Sequence, residues 1–401
     1  MGSSPPSILF VQTYYPQFLD DLYAREPVLA ELPFDEQRRR LMATRFGVSD
    51  AFGTNLARLG WHTMDIVVNA DRLQACWAGE HGVALTGNIH DQRRQILHAQ
   101  VRHFRPDVLY VFEWSPLGDA FLHEIKKEVR LLIGQISSSL PANRTFAAYD
   151  QMISAWPPIA QYFRDEGKSA ELLRLGFDDR VLQETDPSAP TFDLTFVGGL
   201  ASVHAERERW LNGILRETSV DVFGYLSPEI PVSSVIRTHH RGSAWGLRMY
   251  EILMQSRVTL NYHGWIDVRG QVENNLANNM RLYEATGVGT CLLTDAKRNL
   301  HELFDVDREV VSFRSVQECA EHIRYLREHD RVRTEMARAG QRRTLREHTY
   351  AHRMTELDAI LKRGLWESTA MRPTQSDVRR NLPFGEAADA TCGPRGGDPH
   401  P

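Results

Sequence analysis

Four cysteines in 401 residues, Cys76, Cys291, Cys319 and Cys392, stand alone with no Cys-x-x-Cys pair. That speaks against a zinc knuckle or a disulfide framework and fits a reducing compartment. Basic charge is not in excess: 47 Lys and Arg face 52 Asp and Glu, a formal charge of −5. A nucleic-acid polymer calls for a strongly basic surface, so no such partner is expected. No apolar run reaches the roughly 18 residues of a membrane span. The opening Met1-Gly2-Ser3-Ser4-Pro5-Pro6 lacks the basic and apolar regions of a secretory signal. A soluble cytoplasmic protein is the expectation. There is no Gly-x-Gly-x-x-Gly and no P-loop, which disfavours dinucleotide and Walker-type sites. Nor is there a Gly-x-Ser-x-Gly or a His/Cys constellation for nucleophilic catalysis.

What is present is an ordinary globular balance, 42% apolar and 25% charged. A single core stops growing at roughly 250–300 residues, so this length predicts two domains. Short apolar runs at 8–11, 64–68, 108–112, 131–133, 152–154 and 170–173 read as strands, separated by helical stretches such as 35–45, 50–59 and 91–104. Strands alternating with helices imply βαβ units and a mostly parallel sheet. Asp178 to Pro190, rich in Asp and Pro, reads as a linker. The pattern then restarts, with strands at 194–197, 220–223, 258–260, 290–293 and 310–313 and helices at 206–217, 245–255 and 278–285. Helices dominate from Val316 to Gly364, and a Pro- and Gly-punctuated segment follows. The expected division is residues 1–185, 186–364 and a disordered tail over 365–401.

Ligands of open parallel sheets sit beyond the carboxyl ends of the strands. Gly198 and Gly199 follow such a strand and precede a helix; they form either a phosphate-facing turn or a tight turn needing positive φ. Arg207, early in that helix, can clamp a phosphate. Asn278 is a plausible N-cap, and Arg281 and Glu284 lie three apart on one helical face. They suit a nucleoside diphosphate, with Arg for phosphate and Glu for ribose hydroxyls, or they form an intrahelical ion pair. Asn261 and His263 stand at a strand end beside Gly264. His239 and His240 have no third ligand at metal spacing, and Asp305-Val306-Asp307 sits where solvated acids are common, so no metal site is expected. In the first half, Glu113 follows a strand and could act as a base, while Tyr14 and Tyr15 could stack on a sugar.

The run from Asn278 to Asp295, NNMRLYEATGVGTCLLTD, with NLHELFDVDREVVSF, ECAEHIRYL and AGQRRTLREHTYAHRMTEL after it, resembles the C-terminal half of CgeB-like glycosyltransferases. FVGGL, VFGY and WGLRMYEIL…LNYHG fit the same pattern. The resemblance covers about Asp193 to Leu361 and is loose in the first half. It implies the GT-B fold, two facing Rossmann-like domains with a C-terminal helical closure, the second domain holding a nucleotide sugar. Glu284 then looks like the glutamate that grips the ribose, and Arg281 lies where a phosphate contact is expected. Gly198 and Gly199 resemble the turn facing the donor diphosphate, and Gly287-Val288-Gly289 the turn after the helix. Tyr225 of VFGY and Asn279 join the implied donor side. The helices around Tyr350 to Gly364 would cross back to the first domain.

One position departs from the pattern. Related retaining enzymes carry two glutamates separated by seven residues, and Leu276 stands where the first would be. Glu273, Asn275 and His263 are the candidate substitutes. The reading is a nucleotide-sugar glycosyltransferase, with a UDP-sugar as guessed donor, a glycan, lipid-linked or small-molecule acceptor, retention favoured, and no metal cofactor required. If the enzyme inverts, Glu113 is the candidate base. A nucleotide-sugar 2-epimerase and a catalytically silent binding protein of the same fold are the alternatives.

Overall fold

The computed structural model describes residues 5–112, 117–186, 189–200, 205–273 and 275–370. Two parallel sheets organise the chain. The first contains β1 (Ser7–Gln12), β2 (His62–Val67), β3 (Val108–Phe112), β4 (Leu131–Gln135), β5 (Gln151–Ser154) and β6 (Ser169–Leu172), in the order β2-β1-β3-β4-β5-β6. The second contains β7 (Phe192–Val197), β8 (Asp221–Phe223) and β9 (Ser256–Asn261). After a hairpin of β10 (Ile266–Val268) and β11 (Gln271–Glu273), it is completed by β12 (Cys291–Asp295) and β13 (Val311–Phe313). Its order is β13-β12-β9-β7-β8.

Every pairing within both sheets is parallel. Strands covered on both faces are apolar throughout rather than alternating, and Val108 to Val111 are fully buried. In each sheet the first strand lies between the second and the third. The connections therefore leave in opposite directions there, opening a crevice at β1/β3 and another at β7/β9.

The closing helix, Tyr350–Ala370, does not stay with the second sheet. Tyr350, Met354, Leu357, Leu361 and Leu365 recur every three or four residues, one helical face. That face packs with Ile8, Phe10, Val108 and Leu131 of the first sheet. Trp61 Nε1 donates to Asp358 Oδ1 at 2.7 Å. The tail expected from residue 365 is thus corrected for 365–370: burial of Leu365 carries the helix through Ala370. Residues 371–401, with Cys392, lie outside the described residues.

The segment expected as an apolar-poor linker is instead pinned. Phe177 and Val181 are fully buried. Arg180 pairs with Asp178 at 2.6 Å and Asp50 at 2.8 Å, and Arg45 pairs with Asp50 at 2.7 Å and Glu184 at 2.5 Å. Two further contacts join the domains. Trp245 lies against Tyr15, Phe18 and Phe46, with centroids 5.6–6.2 Å away. Beside it, Leu247 N–H donates to Thr44 O at 2.9 Å. A Cβ on Gly246 would stand 2.0 Å from that oxygen, so this approach requires glycine. The β10–β11 hairpin, absent from the sequence reading, reaches the first domain: Arg269 donates to Pro141 O and Arg144 O at 2.5 Å each. Leu276 and Val268 are buried in the first domain's core cluster.

Candidate active site

The β7/β9 crevice collects most of the residues singled out in the second half. Gly198 N–H donates to Phe223 O at 2.9 Å, joining the ends of β7 and β8. The positive φ is at Gly224 (119°), not at Gly198 or Gly199. A Cβ on Gly224 would stand 2.4 Å from Gly198 O, so Gly224 is the glycine that the tight turn needs. A Cβ on Gly199 would meet nothing within 4 Å among the described residues. The next residues, 201–204, lie outside the described ones.

Arg207 sits in the first turn of the helix Ala205–Glu217 and spans the crevice. Its Nη1 donates to Gly199 O at 2.9 Å and its Nε to Tyr262 O at 3.1 Å. One guanidinium thereby ties the residues that follow β7 to those that follow β9. Burial lowers its pKa against the opposing pull of Asp295, and the charge of Arg281 acts in the same direction as burial. Tyr15, from the other domain, also lies within electrostatic reach of Arg207. Tyr225 is half-buried, and its carbonyl accepts from Leu200 N–H at 2.8 Å beside the same strand end.

His263 is 4% exposed. Its backbone N–H donates to Asp295 Oδ1 at 3.0 Å, and its Nδ1 is 2.6 Å from the same oxygen. Lys297 Nζ is 2.9 Å from Asp295 Oδ2. Burial alone would raise the Asp295 carboxyl, but the charges and hydrogen bonds of His263 and Lys297 outweigh it and hold the group at about 2. His263 Nε2 is buried without a partner among the described residues, and so is Asn278 Nδ2.

Asn261 and Asn279 are linked. Asn279 Nδ2 donates to Asn261 Oδ1 at 2.8 Å, and Asn261 Nδ2 donates to Thr294 Oγ1 at 2.9 Å. Asn279 Oδ1 accepts from Leu282 N–H at 3.3 Å, which makes Asn279, rather than Asn278, the cap of the helix Met280–Gly287. Arg281 Nη1 lies 2.7 Å from Glu284 Oε2, so the intrahelical pair forms, and Arg281 Nε donates to Val197 O at 3.1 Å. Glu284 is 5% exposed; burial raises its pKa, and Arg281 opposes that rise.

Several expectations are corrected. Gly287 belongs to packing: a Cβ there would stand 2.5 Å from the Phe177 ring, and the positive φ of this turn is at Gly289. Tyr14 cannot stack on a sugar, because it is 3% exposed within an aromatic cluster with Phe18 and Phe46. Tyr15, its neighbour, is 57% exposed. Glu113 lies outside the described residues. His239 and His240 face the backbone carbonyls of Val220 and Gly224. Asp305 and Asp307 line a cavity of about 510 Å³ with Arg308, Arg342, Arg343 and Arg346, elsewhere on the second domain. Among the described residues, no group of acids, histidines or cysteines is placed to hold a metal ion.

Sequence reasoning passed over Asp295, Lys297 and Gly224, and took Asn278 only for a cap. Asp295 ends a strand adjacent to the one before His263, a signal that the parallel strand order supplies once the register is known.

Residues 204–359 match a family model described as glycosyl transferase-like. The glycosyl transferase-like segment begins at the Arg207 helix and runs through the Met280–Gly287 helix into the closing helix. No curated protein matches the chain. Solved structures do match in fold. A glycosyltransferase from Rickettsia africae ESF-5 superposes with a TM-score of 0.57 at 8% identity, over 90% of this chain and 99% of that one. AviGT4, a glycosyltransferase involved in avilamycin A biosynthesis, gives 0.56 at 14%, over 90% and 99%. Anabaena Alr3699/HepE, solved with UDP-glucose, gives 0.54 at 10%, over 89% and 99%. The fold is GT-B, with two Rossmann-like domains. Among the described residues no helix is long and apolar enough to cross a membrane.

Proposed function

We propose that the protein is a nucleotide-sugar glycosyltransferase, of the CgeB-like kind, that takes its donor in the β7/β9 crevice. The observation that carries this reading is Arg207, a guanidinium held between Gly199 O and Tyr262 O at the carboxyl ends of β7 and β9. It lies within the segment that matches the glycosyl transferase-like family. A departing diphosphate develops negative charge, and fixed cations stabilise it without reorganising when the bond breaks.

In this reading the diphosphate lies over Gly199 and draws on Arg207 and Arg281. Glu284 holds the ribose and gives up part of its pairing with Arg281 to do so. His263 and Asn278, whose buried polar atoms have no partner among the described residues, serve the donor in place of the glutamate that Leu276 replaces. Tyr15 lines the acceptor side. The donor class is a UDP-sugar, supported by the UDP and UDP-glucose bound to HepE. The acceptor is a hydroxyl of a glycan, lipid-linked or small molecule. The family resemblance supports retention at the anomeric carbon. Two arginines supply the charge, so the proposed reaction includes no metal.

Calorimetry with UDP, GDP, dTDP and CMP tests the reading. UDP is expected to bind in EDTA as tightly as without it. Wild type that binds none of the four nucleotides overturns the proposal.

A further inference from the structure

The pairing at His263 asks for more than a place in the crevice. Its Nδ1 and backbone N–H both meet Asp295 Oδ1, while Oδ2 is occupied by Lys297. The ring therefore has one orientation: Nδ1 carries a proton toward the carboxylate, and Nε2 is left without a partner among the described residues. An unpaired buried imidazole nitrogen is costly unless a ligand completes it. Tyr262, whose carbonyl Arg207 holds, is the preceding residue. The charged groups around the ring come from each packed element: Asp295 and Lys297 from the end of β12, Arg207 from its helix, and Arg281 beyond Arg207.

We propose that Asp295 is a positioning residue for glycosyl transfer: it locks His263 so that a protonated Nε2 donates to the donor's diphosphate. This rests on the glycosyl-transfer reading above. As the bond from the anomeric carbon to the phosphate oxygen breaks, its electron pair settles on the departing diphosphate. The acceptor oxygen bonds to that carbon, and the acceptor's hydroxyl proton passes to the diphosphate. The imidazolium keeps its own proton throughout and contributes a charge-assisted hydrogen bond. Lys297 holds the second carboxylate oxygen and keeps Asp295 from turning away.

The test is nitrogen-15 NMR of the full chain labelled at histidine, titrated with UDP, with His263→Gln assigning the signal. UDP is expected to move the Nε2 resonance of His263. Asp295→Asn is expected to shrink that movement and to weaken UDP about 10-fold. Asp295→Glu should restore part of both. Glu284→Gln should weaken UDP while the Nε2 resonance of His263 still moves at saturating UDP. If wild type binds UDP and Nε2 does not move, the role of Asp295 is overturned and the transferase reading stands. If wild type binds neither UDP nor UDP-glucose, both fall. Should Asp295→Asn not fold, Lys297→Met and the wild-type titration decide: unchanged UDP affinity in Lys297→Met, with Nε2 unmoved in wild type, overturns the proposal.

Discussion

The two sheets share a strand order at their crevices and load them differently. At β7/β9 the carboxyl ends carry Arg207, His263 and Asp295, with Arg281 and Glu284 behind. At β1/β3 the described residues at the corresponding ends include Gln12, whose amide is spent on Ser49 O at 2.5 Å, and the two tyrosines, one buried and one exposed. Topology supplies a crevice twice; side chains decide what each can hold. Buried, hydrogen-bonded cations are fixed before an anion arrives. An exposed aromatic ring offers a face and an edge with little charge, which suits a less charged partner.

The contrast can be broken hardest at the Arg281–Glu284 pair. Arg281→Ala leaves a buried carboxylate alone and is expected to cost about 3–5 kcal/mol of stability, measured by urea unfolding. Replacing both residues by leucine should cost much less, since no uncompensated charge remains. Arg207→Ala comes next. It removes two hydrogen bonds from a charged donor, and UDP affinity should fall about 100-fold or more by calorimetry, with Tyr15→Ala changing it less than about 3-fold. Equal losses in the two variants would erase the distinction between the crevices.

Gly287→Ala sharpens the boundary between packing and binding. Its Cβ would press on Phe177, so about 1–3 kcal/mol of stability should be lost with UDP affinity retained. The smallest effect concerns acid. Asp295 is held at about 2 against an ordinary 3.8, so the stability it contributes is complete above the ordinary value and lost as pH falls through about 2. Asp295→Asn should flatten the stability curve in that window, followed by circular dichroism.

Sheet strands were legible because buried parallel strands are uninterrupted apolar runs, as at Val108 to Val111. The hairpin was not: β10 and β11 have three residues each, include Asp267, Gln271 and Glu273, and owe their place to contacts with residues 139–144. Glycine turns and the Arg281–Glu284 spacing were legible as patterns, but which glycine needs positive φ depends on the neighbouring strand, and it is Gly224. Tyr14 and Tyr15 are adjacent and similar in sequence; both meet Phe46, but Tyr14 also packs on Phe18 and is buried while Tyr15 stays exposed. His263 and Asp295 are 32 residues apart and meet because β9 pairs with β12.

The closing helix has a consequence for biosynthesis. The second sheet and the helices through Glu347 form one continuous stretch, so they can assemble as soon as that stretch has left the ribosome. One face of the first sheet, at Ile8, Phe10, Val108 and Leu131, is covered only in part, by Phe52, Leu56 and Trp61, until residues 350–365 emerge. The sheet that is translated first is therefore completed last, and a nascent chain shows part of this apolar surface to chaperones until its closing helix is made.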